Sequence, residues 1–308
     1  MATIAFLFPG QAAQRPGMAS AWADDPVGAV FDEVGAASGV DLWTMADDAD
    51  ACAASTALAQ PAIYAASLAA HDALVAVGVR PDIVAGHSLG EVTAATAAGV
   101  VDRPTGAALV TERGRAMGEA CAASPGTMAA ILKLDLDVVD DLVAQVPDAA
   151  IANNNAPGQV VVAGSPRAVE DVCALAADAG GRTMMLDVEG AFHSPAMTPA
   201  VVRVNDVLMR ADVADPATGF VSGVDGRARA TGSEVATALV DGILSPVRWV
   251  DVQTSLVDDL GVDLLVECGP GGILAGCAKR TVRGTPCLTV SSPADVTAVV
   301  EHLAPTSA

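Results

Sequence analysis

Positive charge is scarce in this chain: 16 Lys and Arg stand against 37 Asp and Glu among 308 residues, a formal net charge of −21. Such a surface repels phosphate backbones and anionic lipid headgroups, which argues against general nucleic-acid binding and against adsorption to membranes. Cysteine pairs are missing as well. Cys52, Cys121, Cys173, Cys268, Cys277 and Cys287 lie far apart, with no C-x-x-C spacing and no histidine cluster. Neither a zinc site nor a disulfide framework is expected, so no metal is assigned and the thiols are read as reduced, in the cytoplasm. Unbroken apolar runs are also absent. The richest, Ile63 to Val79, is interrupted by Ser67, His71 and Asp72 before it reaches the roughly 20 residues of a membrane span. Met1 to Gly10 has no basic segment and no cleavage pattern, so no export signal is expected.

What is present is apolar material. Hydrophobic residues make up 52% of the chain and charged residues 17%, enough to bury a core and offset the entropy of ordering it. Thr3 to Phe8 reads as a buried strand, followed by a loop over Pro9 to Gly17 and helical patterns to about Val40. An Ala-rich helical pattern runs from Gln60, and Ile83-Val84-Ala85 reads as a central strand leading through Gly86 to Gly90 into a helix near Val92 to Gly99. Between about Gly126 and Gly190 the rhythm changes. Strands at Thr127 to Leu134, Ala149 to Asn153, Gln159 to Ala163 and Thr183 to Val188 alternate with helices at Asp137 to Val146 and from Ser165-Pro166 to about Asp178. Asn154 to Gly158 reads as the turn between the second and third strands. The order βαββαβ matches the ferredoxin-like unit. The expected fold is therefore an α/β domain over residues 1–125 and 191–308, interrupted by a small ferredoxin-like subdomain over 126–190. The chain returns through a helix from about Pro195 to Met209, a strand near Gly219 to Val224, a helix near Ser233 to Gly242 and a strand at Asp263 to Glu267. The last few residues are expected to fray.

Gly86-x-Ser88-x-Gly90, after a strand and before a helix, fits a nucleophile elbow, in which a sharp turn lifts the serine hydroxyl above the sheet edge. Both glycines are needed because strand and helix approach too closely for Cβ atoms. The backbone N–H of Leu89, at the helix N-terminus, faces a developing oxyanion. A serine nucleophile needs a base, and the chain holds four histidines. His87 points to the opposite face from Ser88 and reads as structural. His71 sits in the Ala-rich helix and His302 in the frayed C-terminal stretch, so both read as core or surface. His193, in the loop Gly190-Ala191-Phe192-His193-Ser194-Pro195, is placed to face a cleft.

Several separated motifs occur in a consistent order: Phe8-Pro9-Gly10-Gln11, Gln60-Pro61-Ala62, Gly86 to Glu91, Glu112-Arg113-Gly114, Asn153 to Gln159, Ala191 to Ser194, Ser245 to Trp249 and Glu267 to Gly271. Over almost its whole length the chain resembles the malonyl-CoA:acyl carrier protein transacylase family. The resemblance implies a hydrolase-like α/β domain with a ferredoxin-like insertion, the architecture reached above from the strand and helix order. It also implies Ser88 as nucleophile, His193 as its base, Gln11 with the Leu89 N–H as oxyanion hole, and Arg113 as partner of the malonyl carboxylate. The planar fork of a guanidinium suits that role. Gln60, Asn155 and His87 are implied at the substrate pocket. The family orients its histidine through a main-chain carbonyl, and Gly242 stands where a glutamine is typical. Phe192 matches the form that takes malonyl, since its ring crowds a branch at C2, although the histidine usual at the first position of this motif is absent here, where Gly190 and Ala191 precede Phe192.

The implied activity is ping-pong transfer of malonyl from coenzyme A to the phosphopantetheine thiol of an acyl carrier protein, with malonyl-CoA as substrate and no cofactor. Two rivals remain open: a serine acyl hydrolase on the same fold, and a non-catalytic docking module for carrier proteins. Arg113 speaks against a hydrolase of neutral acyl chains, which has no use for a buried cation. Intact Ser88, His193 and Gln11 speak against a docking module. Carrier proteins are acidic, so docking on a chain this acidic needs a local basic patch, and Lys279, Arg280 and Arg283 form the densest one.

Overall fold

Among the described residues nine short strands carry the architecture: β1 (Ile4–Phe8), β2 (Ile83–Gly86), β3 (Thr127–Leu132), β4 (Ala149–Ala156), β5 (Gln159–Gly164), β6 (Arg182–Met185), β7 (Gly219–Val221), β8 (Leu264–Cys268) and β9 (Cys287–Val290). In the computed structural model, which describes residues 2–304, they form two sheets. The larger is parallel throughout, in the order β7-β2-β1-β8-β9. Its central strands β1, β2 and β8 are buried at every residue, as a parallel sheet covered on both faces requires, and apolar except at Glu267, whose carboxylate accepts from Leu274 N and Ala275 N. Alternation assigns the faces: Phe6 and Phe8 enter one core with Trp22, Ile63 and Leu68, while Ala5 and Leu7 enter the other with Trp249 and Leu265.

The smaller sheet is antiparallel, in the order β4-β5-β3-β6. Ala129, Ile131, Val160 and Val162 on one face pack against Val139, Val169 and Val172 of two helices, Leu136–Val143 and Pro166–Asp178. This is the expected βαββαβ unit. Ser165 caps the second helix, its side chain accepting from Ala168 N, with Pro166 at the first helical position. The other face, with Met128, Ala130 and Val161, joins the main core and covers the site described below.

Three local expectations need correction. Asn154 and Asn155 remain in β4, which runs to Ala156, so the turn shrinks to Pro157-Gly158. The reason is tertiary: Asn154 N donates to Val247 O at 2.8 Å and Val247 N to Ala152 O at 2.9 Å, so the strand is held by a segment nearly a hundred residues away, and bulges absorb the register shifts. The Ala-rich helix starts at Thr56 rather than Gln60, because Glu189 Oε2 accepts from Thr56 N at 2.7 Å and anchors the first turn ahead of Pro61. His302 lies in a helix, Pro293–Leu303, and not in a frayed stretch; the remaining expectation of fraying falls on residues 305–308, outside the described residues. Among the described residues no helix is long and apolar enough to cross a membrane.

Candidate active site

Strand β2 ends at Gly86, and the helix Leu89–Ala97 begins only three residues later. The turn is tight enough that Ser88 takes φ 54° and ψ −110°, a backbone conformation a side-chain-bearing residue adopts only where its surroundings enforce it. A Cβ on Gly86 would stand 2.0 Å from the carbonyl carbon of Gly90, and one on Gly90 would stand 2.0 Å from the carbonyl oxygen of Phe8. Both glycines are thus imposed by packing between β1, β2 and the helix. The amide of Leu89 opens the helix, and neither it nor the amide of Gln11 donates to a protein acceptor among the described residues. Each is free to receive an oxyanion.

His193 comes from the loop after β6 and also has a positive φ, 57°. Ser194 braces this turn, its hydroxyl donating to Ala191 O at 2.6 Å. The His193 ring bridges two segments. Nε2 lies 2.8 Å from Ser88 Oγ, and Nδ1 lies 2.9 Å from Gly242 O and 3.0 Å from Ser245 O. Carbonyl oxygens only accept, so Nδ1 carries the hydrogen and Nε2 presents its lone pair to the Ser88 hydroxyl. Burial, then the Arg113 and His87 charges, push the imidazole down to about 3, so it rests neutral.

Arg113 extends from a 21-residue helix, Arg103–Ala123, and is only 3% exposed. One guanidinium nitrogen donates to Gln60 Oε1 at 2.8 Å and another to Ser88 Oγ at 3.1 Å. Burial lowers it to about 10, while Glu91 opposes that shift, so it stays a cation at neutral pH. Gln60 in turn donates to Thr56 Oγ1 at 3.0 Å, and Thr56 donates to Gln11 Oε1 at 2.7 Å. This chain fixes the orientation of the Gln60 amide, so that its oxygen and not its nitrogen faces the guanidinium. His87 pairs through Nε2 with Asn155 Oδ1 at 2.8 Å and meets the Trp249 ring edge-on, at 5.4 Å between centroids.

Ser88 stands at the junction of two cavities. The wider, about 340 Å³, is lined by Gln11, His87, Asn155, Phe192 and His193 together with apolar residues such as Met117 and Leu186. The narrower, about 10 Å³, lies on the Arg113 side, with Glu91, Val224, Leu239 and Gly242. Phe192 therefore borders the wide cavity and not the small one. Lys279, Arg280 and Arg283 are exposed and outside both cavities, on or just beyond the helix Ile273–Thr281, whose Ile273, Leu274 and Cys277 line the wide one. Arg280 is committed to Gln159 Oε1 and Pro157 O, each at 2.6 Å. His71 hydrogen-bonds Asp72 and lies against the Phe6 and Phe8 rings, a core position. Sequence reasoning gave no role to Thr56 or Glu91. Glu91 carried a usable signal, an acid one turn after the nucleophile in an otherwise uncharged helix; Thr56 carried none.

The chain as a whole has counterparts among known proteins. Residues 5–306 match the acyl transferase domain family. A malonyl CoA-acyl carrier protein transacylase from Mycobacterium tuberculosis is 38% identical over 308 residues, spanning 95% of this chain and 98% of the relative. Among solved structures, the acyl-carrier-protein S-malonyltransferase from Burkholderia pseudomallei superposes with a TM-score of 0.91 at 36% identity, covering 97% and 99% of the two chains. A malonyl-transacylase in complex with a type II polyketide synthase acyl carrier protein superposes with a TM-score of 0.92 at 33% identity, again over 97% and 99%. With a match from one end of the chain to the other, this protein belongs to the acyl transferase family, among the malonyl CoA-acyl carrier protein transacylases.

Proposed function

We propose that this chain transfers malonyl from coenzyme A to the phosphopantetheine thiol of an acyl carrier protein through a malonyl-Ser88 ester. Ser88 Oγ attacks the thioester carbonyl as its proton passes to His193 Nε2. The carbonyl oxygen becomes an oxyanion held by the amides of Gln11 and Leu89. When the carbon–sulfur bond breaks, coenzyme A leaves as a thiol carrying the proton from His193. The carrier thiol then attacks the ester by the same steps in reverse and returns the proton to Ser88. Arg113 pairs with the free malonyl carboxylate throughout. The route uses only side chains and backbone amides and calls for no cofactor.

The observation that carries this reading is the position of Ser88 Oγ, 2.8 Å from an imidazole that can only accept its proton and 3.1 Å from a buried guanidinium. A hydrolase of neutral acyl groups has no use for that cation. Boundaries at residues 126 and 190 divide the catalytic unit from the small sheet that covers the wide cavity. Lys279 and Arg283, with Arg280 bracing the hairpin beside them, are the basic patch we assign to carrier docking. The six unpaired thiols support a reducing compartment, the cytoplasm. Intact-protein mass spectrometry after incubation with malonyl-CoA tests the reading: one malonyl mass is expected, lost in Ser88→Ala. An adduct that persists in the variant removes Ser88 from the mechanism.

A further inference from the structure

Thr56 is wholly buried at the start of the helix Thr56–Ala76, and the transfer chemistry gives it no part. Its N–H donates to Glu189 Oε2 at 2.7 Å, in the loop that leads to His193. Its hydroxyl donates to Gln11 Oε1 at 2.7 Å and accepts from Gln60 Nε2 at 3.0 Å. A hydroxyl is donor and acceptor at once, so this one group fixes both side-chain amides. With Nε2 held by Thr56, Gln60 turns Oε1 to Arg113, which donates to it at 2.8 Å. With Oε1 held by Thr56, Gln11 is tied down beside Ala12, whose φ of 74° is a conformation that its surroundings must enforce. The Gln11 amide, to which we assign half of the oxyanion hole, belongs to that same turn.

We propose that Thr56 is a positioning residue that joins the two halves of the site: through Gln60 it aims the Arg113 fork, and through Gln11 it holds the turn that supplies an oxyanion donor. The inference rests on the malonyl reading above. Without the hydroxyl, Gln60 Nε2 keeps only the Met117 sulfur at 3.4 Å, a weak acceptor, and the amide is free to turn over. A reversed amide presents N–H groups to a guanidinium that itself can only donate, so Arg113 loses the acceptor that sets its direction. Gln11 loses its tether in the same step, and the strained turn at Ala12 can relax. The first effect falls on acyl groups that carry a carboxylate, and the second on every thioester. Malonyl loading therefore depends on Thr56 twice, and acetyl loading once.

The test is kcat/KM for loading Ser88 from malonyl-CoA and from acetyl-CoA in Thr56→Val and Thr56→Ser, with Tm measured alongside. Thr56→Val keeps the shape and removes the hydroxyl; it is expected to lose roughly 30-fold on malonyl and about threefold on acetyl, so that the malonyl-to-acetyl ratio falls about tenfold. Thr56→Ser keeps the hydroxyl and is expected to retain both rates within about threefold and the wild-type ratio. A residue that only closed the end of the helix would lower Tm and leave the ratio alone. Both thioesters are read on one preparation, so the folded fraction cancels from the ratio; Thr56→Ala, with no bulk to misfit, gives the same reading should Thr56→Val not fold. A wild-type ratio in the variants that lack the hydroxyl, or a fall in Thr56→Ser as large as in Thr56→Val, would overturn the proposal. Formation of the malonyl-Ser88 adduct by the wild-type enzyme upholds the transfer reading whatever the variants show.

Discussion

Replacing Arg113 by alanine separates a specificity role from a structural one, and the structure sets the size of the effect. The guanidinium is buried and already directs one nitrogen to Ser88 Oγ at 3.1 Å, so a carboxylate attached two bonds from the reacting carbonyl meets it at contact distance. A charge-assisted, two-point pair in such a place is worth about 3 kcal/mol, which corresponds to a loss of roughly 10² to 10³ in malonyl kcat/KM. Coulomb's law agrees: at 4 Å and an effective dielectric of 20, two unit charges attract by about 4 kcal/mol. Acetyl-CoA brings no carboxylate. It loses only the contact between Arg113 and the Ser88 hydroxyl, so its rate should fall by about tenfold at most. The substitution also leaves Gln60 Oε1 without its donor, so a modest fall in Tm accompanies it. Arg113→Lys keeps the cation but not the fork and should lie between the two. The assay is kcat/KM for malonyl-CoA and acetyl-CoA in all three proteins, with Tm measured alongside. Equal losses on both thioesters would refute the argument, because they would make Arg113 a scaffold residue.

His193→Ala should slow loading by roughly 10² to 10⁴-fold, the range of a lost general base, and near-wild-type rates in the variant would redirect attention to His87. In the wild-type enzyme, burial keeps His193 neutral down to about pH 3. Because a depressed pKa moves the loss of the basic form to lower pH, loading by a neutral thioester should show no acid limb between pH 7 and 5; a limb centred near the ordinary histidine pKa would contradict this. Lys279→Glu combined with Arg283→Glu should raise KM for an acidic carrier by about tenfold, more at low salt, and leave loading from malonyl-CoA unchanged. Equal change in both half-reactions would remove the patch from docking.

The parts of this site that were legible in the sequence are those fixed by local backbone geometry. Gly86 and Gly90 announce the elbow because a Cβ on either one collides with backbone, a constraint that residue type alone expresses. The βαββαβ order was legible for a similar reason, since helix caps such as Ser165-Pro166 and short alternating strands are local signals. The relay Arg113–Gln60–Thr56–Gln11 was not, since it joins three segments far apart in the chain and Thr56 differs in no way from a surface threonine until the helix is anchored by Glu189. The asparagine run failed in the opposite direction. Asn, Pro and Gly together signal a turn, yet the hydrogen bonds between β4 and Val247 hold Asn154 and Asn155 in the strand. Local propensity gave way to a tertiary contact.

The orientation of His193 depends on no side chain at Gly242, where the resemblance leads one to expect a glutamine. The acceptors for Nδ1 are the carbonyls of Gly242 and Ser245, which any residue supplies, so no side chain there has to be retained. That choice has a chemical consequence. A carboxylate partner would stabilise the imidazolium and raise its pKa, as in a Ser-His-Asp triad. Two carbonyls stabilise it far less, and the buried Arg113 cation works against it. In the transfer we propose, the imidazolium formed as Ser88 attacks is therefore strongly acidic and gives its proton readily to the departing thiolate. A transferase benefits from this, because its leaving group and its second nucleophile are both thiols and the same proton must move in both directions. A proton held tightly on the histidine would stall the second half of the cycle, whereas one held loosely serves coenzyme A and the carrier thiol alike. The guanidinium to which we assign the substrate carboxylate thus also lowers the pKa of the base, which in the proposed transfer ties recognition of malonyl to proton movement at Ser88.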